Sequence, residues 1–318
     1  MKRRQFLYFS IFAMIPIPMF AKRILLVASE VGGNFKHIYS SIRLKADFRH
    51  FLENVFNLYP VDKFHQLISN KVEQNSSDRD IYISTQSNLN SISPFFSTFN
   101  YELPALFKQK EIMAKQTIDL LGENSKFHGY LEIGSSGRYL DYLEEAVDIS
   151  GERYYADGKE PGYAISEMVD RGQINIGATY IPLADYKTRY SSIIPEKSLD
   201  LVTIYIGFHH CPIHLRKSFI SSIRDTLRIG GKLILRDHDC NTEDQKTMVA
   251  LAHDVFNMGT HETWKYNNDE VRNFYSLEFI INFVEKIGFN FEGKTLFQKG
   301  DPTKNALMLF TKIELKNI

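Results

Sequence analysis

Residues 128–140, HGYLEIGSSGRYL, constrain this chain more than any other stretch. An apolar strand reaches Glu132, turns through Gly134-Ser135-Ser136-Gly137, and must reverse into a helix beginning near Arg138. Gly134 and Gly137 let the backbone adopt positive φ and let a ligand approach it closely. A strand–glycine turn–helix unit of this kind is the phosphate- or nucleotide-facing corner of an open α/β sheet, and it also occurs as a ligand-free connection. The residues C-terminal to it decide between the two.

Three further landmarks come in a fixed order. About 20 residues past the glycines, the spacing at which nucleotide-binding folds place a ribose acid, Tyr154-Tyr155-Ala156-Asp157 reads as a short second strand ending in a carboxylate. Asp157 is therefore the ribose candidate. Ser198-Leu199-Asp200 then leads into the continuous run Leu201–Ile206 and on to Gly207-Phe208-His209-His210, the pattern of a strand buried on both faces. A helix from about Pro212 to Arg228 runs through Ile229-Gly230-Gly231 into Lys232–Asp239, where the glycines are expected to end the helix and the apolar run to form another buried strand.

With these blocks in place the chain resembles the class I S-adenosylmethionine-dependent methyltransferases. The residues that carry the resemblance are Glu132-Ile133-Gly134-Ser135-Ser136-Gly137, Asp200-Leu201-Val202 with Phe208-His209-His210, and Leu227-Arg228-Ile229-Gly230-Gly231-Lys232-Leu233-Ile234-Leu235. It covers about residues 125–315 and looks most like the small-molecule, quinone-methyltransferase type. Ser135 and Ser136 stand where that family usually has a further glycine between the outer two. A second likeness, through Arg236-Asp237-His238-Asp239, His253-Asp254, His261-Glu262-Thr263 and Arg272-Asn273-Phe274-Tyr275, is to a bacterial and large-virus subgroup of unnamed substrate.

The resemblance implies an α/β fold: a doubly wound, mostly parallel, seven-stranded Rossmann-like sheet with a C-terminal antiparallel hairpin and an N-terminal helical extension. A nicotinamide dinucleotide is the alternative ligand for the same topology. The chain end argues for the methyl donor, because Phe289–Phe297 and Ala306–Ile313 flank a Lys-Gly-Asp-Pro turn and read as a hairpin rather than a second mononucleotide half. S-adenosylmethionine is thus the expected cofactor. Ligands of such sheets bind outside the carboxyl ends of the strands. There Glu132, Gly134, Ser135 and Gly137 would hold the amino-acid part of the donor, Asp157 the ribose and Asp185 the adenine, while Gly207, Phe208 and His209 would face the sulfonium. His210 and His238 are the catalytic candidates, since both fall at strand ends and imidazole accepts protons near neutrality. Each can equally be a hydrogen-bonded strand-end residue. Asp237, Asp239, His253, Asp254, His261 and Glu262 thicken the cluster, but their spacing shows no ligand geometry and no metal is assigned.

Charge sets the partner class. The 38 basic and 38 acidic side chains cancel, and the only sharp basic cluster is Lys2-Arg3-Arg4, so a nucleic-acid surface is not indicated. A small-molecule acceptor is expected. The oligomeric state is not legible.

Residues 1–21 read as a signal peptide or membrane anchor: the basic cluster precedes Gln5-Phe6-Leu7 and an uncharged run to Ala21, so residues 6–21 are a candidate membrane contact. The start resembles a twin-arginine signal, pointing to the bacterial periplasm or inner membrane, whereas supply of the donor points to the cytoplasm. That conflict keeps open an exported or membrane-tethered binding module that retains the fold without catalysis. Only two cysteines occur, Cys211 and Cys240, which is no secreted disulfide framework; both fall past the ends of neighbouring strands, where a bridge is geometrically conceivable and a buried free thiol the commoner state. Residues 22–124 are expected as a helical cap region and 125–318 as the methyltransferase domain. In the cap region Phe48–Tyr59 shows helical spacing and stops at Pro60, Val61–Ile68 continues as a second helix, Ser84–Ser97 is turn-rich, and Leu103–Leu121 is a long amphipathic helix that would either cover the cofactor or pack on the sheet.

Overall fold

Whether the strand-like runs pair in one sheet depends on their order. In the computed structural model, which describes residues 33–93, 103–162 and 177–314, they do: β1 (Lys126–Ile133), β2 (Asp148–Asp157), β3 (Thr179–Pro182), β4 (Leu199–Ile204), β5 (Leu227–His238), β6 (Phe289–Phe297) and β7 (Asn305–Lys312) form one sheet in the order β3-β2-β1-β4-β5-β7-β6. β1 to β5 are parallel neighbours, and β7 runs antiparallel to both β5 and β6. The expected doubly wound sheet with its C-terminal hairpin is present. Its order reverses between β1 and β4, the switch at which such sheets open a crevice for a ligand.

The acid that precedes the β4 run works at the opposite end of the sheet. Asp200 accepts the His128 backbone N–H at 2.7 Å and the Arg228 Nη1–H at 2.8 Å, tying together the starts of β1, β4 and β5. Gly230-Gly231 does not end a helix. The helix stops at Thr226, Leu227 already pairs with Leu199, and the next pair is Leu201 with Lys232, so residues 228–231 bulge out within β5. The strand starts early because Leu227 is fully buried against β4, and burial outweighs the local turn signal.

Contacts divide the described chain into two compact units, residues 33–93 with Thr242–Glu270, and residues 103–241 with 271–314. The second unit's chain is interrupted by the excursion Thr242–Glu270, which groups with the first. The expected segment at residues 1–21 lies outside the described residues. Among the described residues no helix is long and apolar enough to cross a membrane.

The first unit is helical. Helices Asn34–Ser40, Ile42–Phe51, Val61–Gln74 and Asp78–Ser87 share with Glu243–Gly259 a core built on Phe35, Phe48, Phe64, Ile81, Leu251 and Val255. Phe48 and Phe64 are wholly buried, each worth about 1.5–3 kcal/mol of transfer free energy. The helix expected to run to Tyr59 ends sooner, through a wide turn at Leu52–Phe56 that closes on Asn57 at φ +49°. In place of the turns expected over Ser84–Ser97, of which residues 94–97 lie outside the described residues, Asp78–Ser87 and Leu89–Ile92 are helical; the Ser77 hydroxyl caps the former by accepting the Asp80 N–H at 3.1 Å.

The sheet unit keeps Leu103–Leu121 as the predicted long helix. It packs on the sheet, with Ala114 against Phe127 and Tyr130, and Met113 and Leu120 against Tyr205, Ile234 and Leu307. Its Lys110 is fully buried and donates to Asp141 at 2.8 Å, fastening the helix to the short one at Leu140–Glu144.

Candidate functional site

The carboxyl ends of β1, β2, β4 and β5 gather most of the candidate site residues. β1 ends at Ile133, and the chain enters the turn with Gly134 at φ +80° and Gly137 at φ +70°. Gly134 donates its N–H to Ala156 O at 2.7 Å, and a β-carbon there would lie 2.2 Å from Ile206 Cβ. Glycine is required at 134 on both counts, the left-handed backbone and the proximity of β4's end.

Glu132 is buried to 1% exposure and serves the turn from inside. Its carboxylate accepts the Ser135 hydroxyl at 2.5 Å, the Tyr139 backbone N–H at 3.3 Å and the Tyr130 hydroxyl at 3.1 Å. Burial raises its pKa to about 7, against the stabilising pull of those donors. Glu132 and Ser135 therefore shape the turn, and their polar atoms are engaged with each other.

Asp157 closes β2 beside that turn and is half-buried. One carboxylate oxygen accepts the Gly158 N–H at 2.7 Å, and the other accepts the hydroxyl of Ser136, which stands at φ +55°. A ribose diol needs a carboxylate that accepts hydroxyl hydrogen bonds, and Asp157 does so here. That acceptor chemistry is the kind a ribose diol would require. Asp185 lies on the turn after β3, half-exposed at φ +53°, with Lys187 Nζ 3.7 Å from its carboxylate. Ala184, Asp185 and Tyr186 all have positive φ, an unusual run for residues other than glycine.

Past β4, Phe208–His210 form a single tight turn. Phe208 points into the core, 5.8 Å from the Phe283 ring and with the Arg216 guanidinium 5.3 Å from its centroid, so its ring packs and does not line an open face. His209 is 3% exposed and folds back over Gly207 onto Asp237: its Nδ1 lies 2.7 Å from Oδ1, and its backbone N–H donates to Oδ2 at 2.9 Å. The His238 N–H adds a third donor at 2.7 Å. Three donors hold Asp237 as the acceptor, which puts the His209 proton on Nδ1, and burial drives that imidazole to its neutral form.

His210 is half-buried, and its ring centroid is 4.2 Å from that of His209. Its Nδ1 lies 3.0 Å from Val271 O, an acceptor, so the neutral ring carries its proton at Nδ1 and its basic lone pair at Nε2. His238 is buried, donates from Nδ1 to Thr303 O at 2.9 Å, and is pushed down to about 4 by burial. Such an imidazole is a weak base.

Asp237 has no assigned role in the sequence beyond its place beside His238 at a strand end. Its partnership with His209, 28 positions away, arises only from the pairing of β4 with β5. Of the other acids and histidines of that cluster, Asp239, His253 and Asp254 have hydrogen-bond partners of their own. Asp239 accepts the Leu277 N–H at 3.1 Å at the start of helix Leu277–Glu285. His253, Asp254, His261 and Glu262 belong to the helical unit, where His253 Nδ1 lies 2.8 Å from Val249 O and Asp254 accepts from Asn34 Nδ2 and Asn267 Nδ2, each at 2.8 Å. Cys211 and Cys240 are both buried and are not joined in a disulfide.

No family model matches this chain, and neither does any curated protein. Some solved structures resemble it weakly. A Burkholderia thailandensis 1,6-didemethyltoxoflavin-N1-methyltransferase, with 1,6-didemethyltoxoflavin and S-adenosylhomocysteine bound, is 11% identical over 76% of this chain and 92% of its own, with a TM-score of 0.44. A SAM-dependent methyltransferase from Aquifex aeolicus is 11% identical over 72% of this chain and 98% of its own, at 0.41. An S-adenosylmethionine-dependent methyltransferase from Mesorhizobium loti is 11% identical over 61% and 94%, at 0.41.

Proposed function

We propose that the sheet unit is an S-adenosylmethionine-dependent methyltransferase acting on a small-molecule acceptor. The observation that carries this reading is the coincidence, at the switch between β1 and β4, of a positive-φ glycine turn and a hydroxyl-accepting acid on β2. When bound, the donor supplies an electrophilic methyl group on sulfur, and the protein's task is to align it and ready the acceptor.

In this reading Glu132 and Ser135 shape the turn from behind, Asp157 holds the ribose, and Asp185 stands on the loop that would border the adenine. His210 is the proposed base, taking the acceptor's proton at Nε2, and its pairing with Val271 O fixes the tautomer. His209 and Asp237 are positioning residues that hold the 207–210 turn against β5. His238 contributes as a neutral, weakly basic imidazole. The balanced charge of the chain supports a small acceptor over a polyanion.

The test is equilibrium dialysis of the full-length protein with S-adenosylmethionine, then a metabolite screen with methyl-labelled donor. Saturable donor binding and labelled product are expected. Donor binding without product from any acceptor would favour the binding-module alternative, and no binding at millimolar donor would refute the enzyme.

A further inference from the structure

Ser136 is the residue of the glycine turn that the rest of the site leaves unexplained. It occupies the interval where the resembling family carries a glycine, it is not glycine, and its backbone nevertheless stands at φ +55°. A left-handed conformation disfavours a residue with a β-carbon, so something must hold it there. One contact does: Ser136 Oγ–H donates to Asp157 Oδ2 across the gap between the β1 turn and the end of β2. Asp157 Oδ1 is taken by the Gly158 N–H at 2.7 Å. Both oxygens of the ribose acid are thus engaged within the protein, and one of them by a hydroxyl.

We propose that Ser136 is an internal competitor for Asp157. Its hydroxyl stands in for a ribose hydroxyl, so donor entry exchanges one hydroxyl for another on the same carboxylate and requires the 134–137 turn to let go. Ser136 then tunes donor affinity downward and stabilises the donor-free turn. The neighbouring serine cannot play this part, because Ser135 is committed to Glu132 on the buried side at 2.5 Å. Alternation of the two serines divides the work: one hydroxyl fixes the turn to β1, the other closes it onto β2.

This inference rests on reading the turn as the donor site, and the experiment separates the two. S-adenosylhomocysteine binding is measured by calorimetry on full-length wild type, Ser136→Ala and Ser136→Gly, alongside thermal unfolding without ligand. Removing the hydroxyl should tighten binding by roughly threefold to tenfold, as loss of one competing, solvent-screened hydrogen bond implies, while lowering the ligand-free unfolding temperature of Ser136→Ala. The opposite signs are the signature, since a merely structural serine would weaken both. Ser136→Gly, which also relieves the backbone, should bind at least as tightly and serves if the alanine variant misfolds. Wild-type binding with unchanged or weaker binding by both variants overturns the competitor while leaving the donor site standing. Absence of binding by all three proteins overturns the donor reading, and the competitor with it.

Discussion

The imidazole of His209 lies over Gly207 so closely that a β-carbon at 207 would stand 2.0 Å from its Cε1. Gly207 is therefore the seat of a folded-back histidine, and its lack of a side chain serves the His209–Asp237 contact. Gly207→Ala should cost about 1–3 kcal/mol as the ring is forced off the carboxylate. In a His209→Ala background that cost should nearly vanish. A double-mutant cycle by urea unfolding measures the coupling, and additive effects would refute the assignment.

Asp237 gathers three donors in a buried site, two of them backbone N–H groups. Asp237→Asn offers one acceptor oxygen and an amide that opposes those donors. A loss of about 3–5 kcal/mol in unfolding free energy is expected. Nitrogen NMR of the histidines would show the second consequence, weakening of the His209 Nδ1–H tautomer, and an unaltered His209 would argue against the pairing.

Glu132 gives the site a pH dependence of definite sign. Its pKa is raised by burial from 4.5 to about 7, so the folded protein binds this proton more tightly than the unfolded chain. The stabilisation is complete below about 4.5 and lost as pH rises through about 7, a span worth about 3 kcal/mol. Stability measured from pH 5 to 8 should fall more steeply in wild type than in Glu132→Gln. Parallel curves would show that Glu132 is not the titrating group.

Asp157→Ala should weaken S-adenosylhomocysteine binding by about 1–2 kcal/mol, through loss of the charge-assisted hydrogen bond that the ribose takes over from Ser136. Calorimetry on the folded variant reads this directly. Unchanged affinity would move the ribose elsewhere.

Most of the sheet unit is legible in the sequence because its signals are local. Continuous apolar runs at Leu201–Ile206 and Leu233–Leu235, the glycine turn after Glu132 and the turn at 299–302 each declare their element within a few residues. The departures share one cause, burial overriding a local cue. Gly230-Gly231 carries a helix-stop signal, but Leu227 is drawn into β5 by its partner Leu199. Phe208 sits where a strand-end residue faces ligand, but its ring finds Phe283 and Arg216. Polar residues around 84–87 look like turns, but a capping serine and the buried face of Ile81, Tyr82 and Thr85 make them helix.

By itself the sequence determined most of the strands, the glycine turn and the hairpin, since periodicity and spacing act along the chain. Tertiary structure alone decided what each polar group holds. It set His209 on Asp237, Glu132 on the inside of its turn and Ser136 on Asp157, and it joined residues 242–270 to the N-terminal helices. Those pairings arise from register between strands and from which groups lose water on folding, and neither is written in the spacing of residues along one chain.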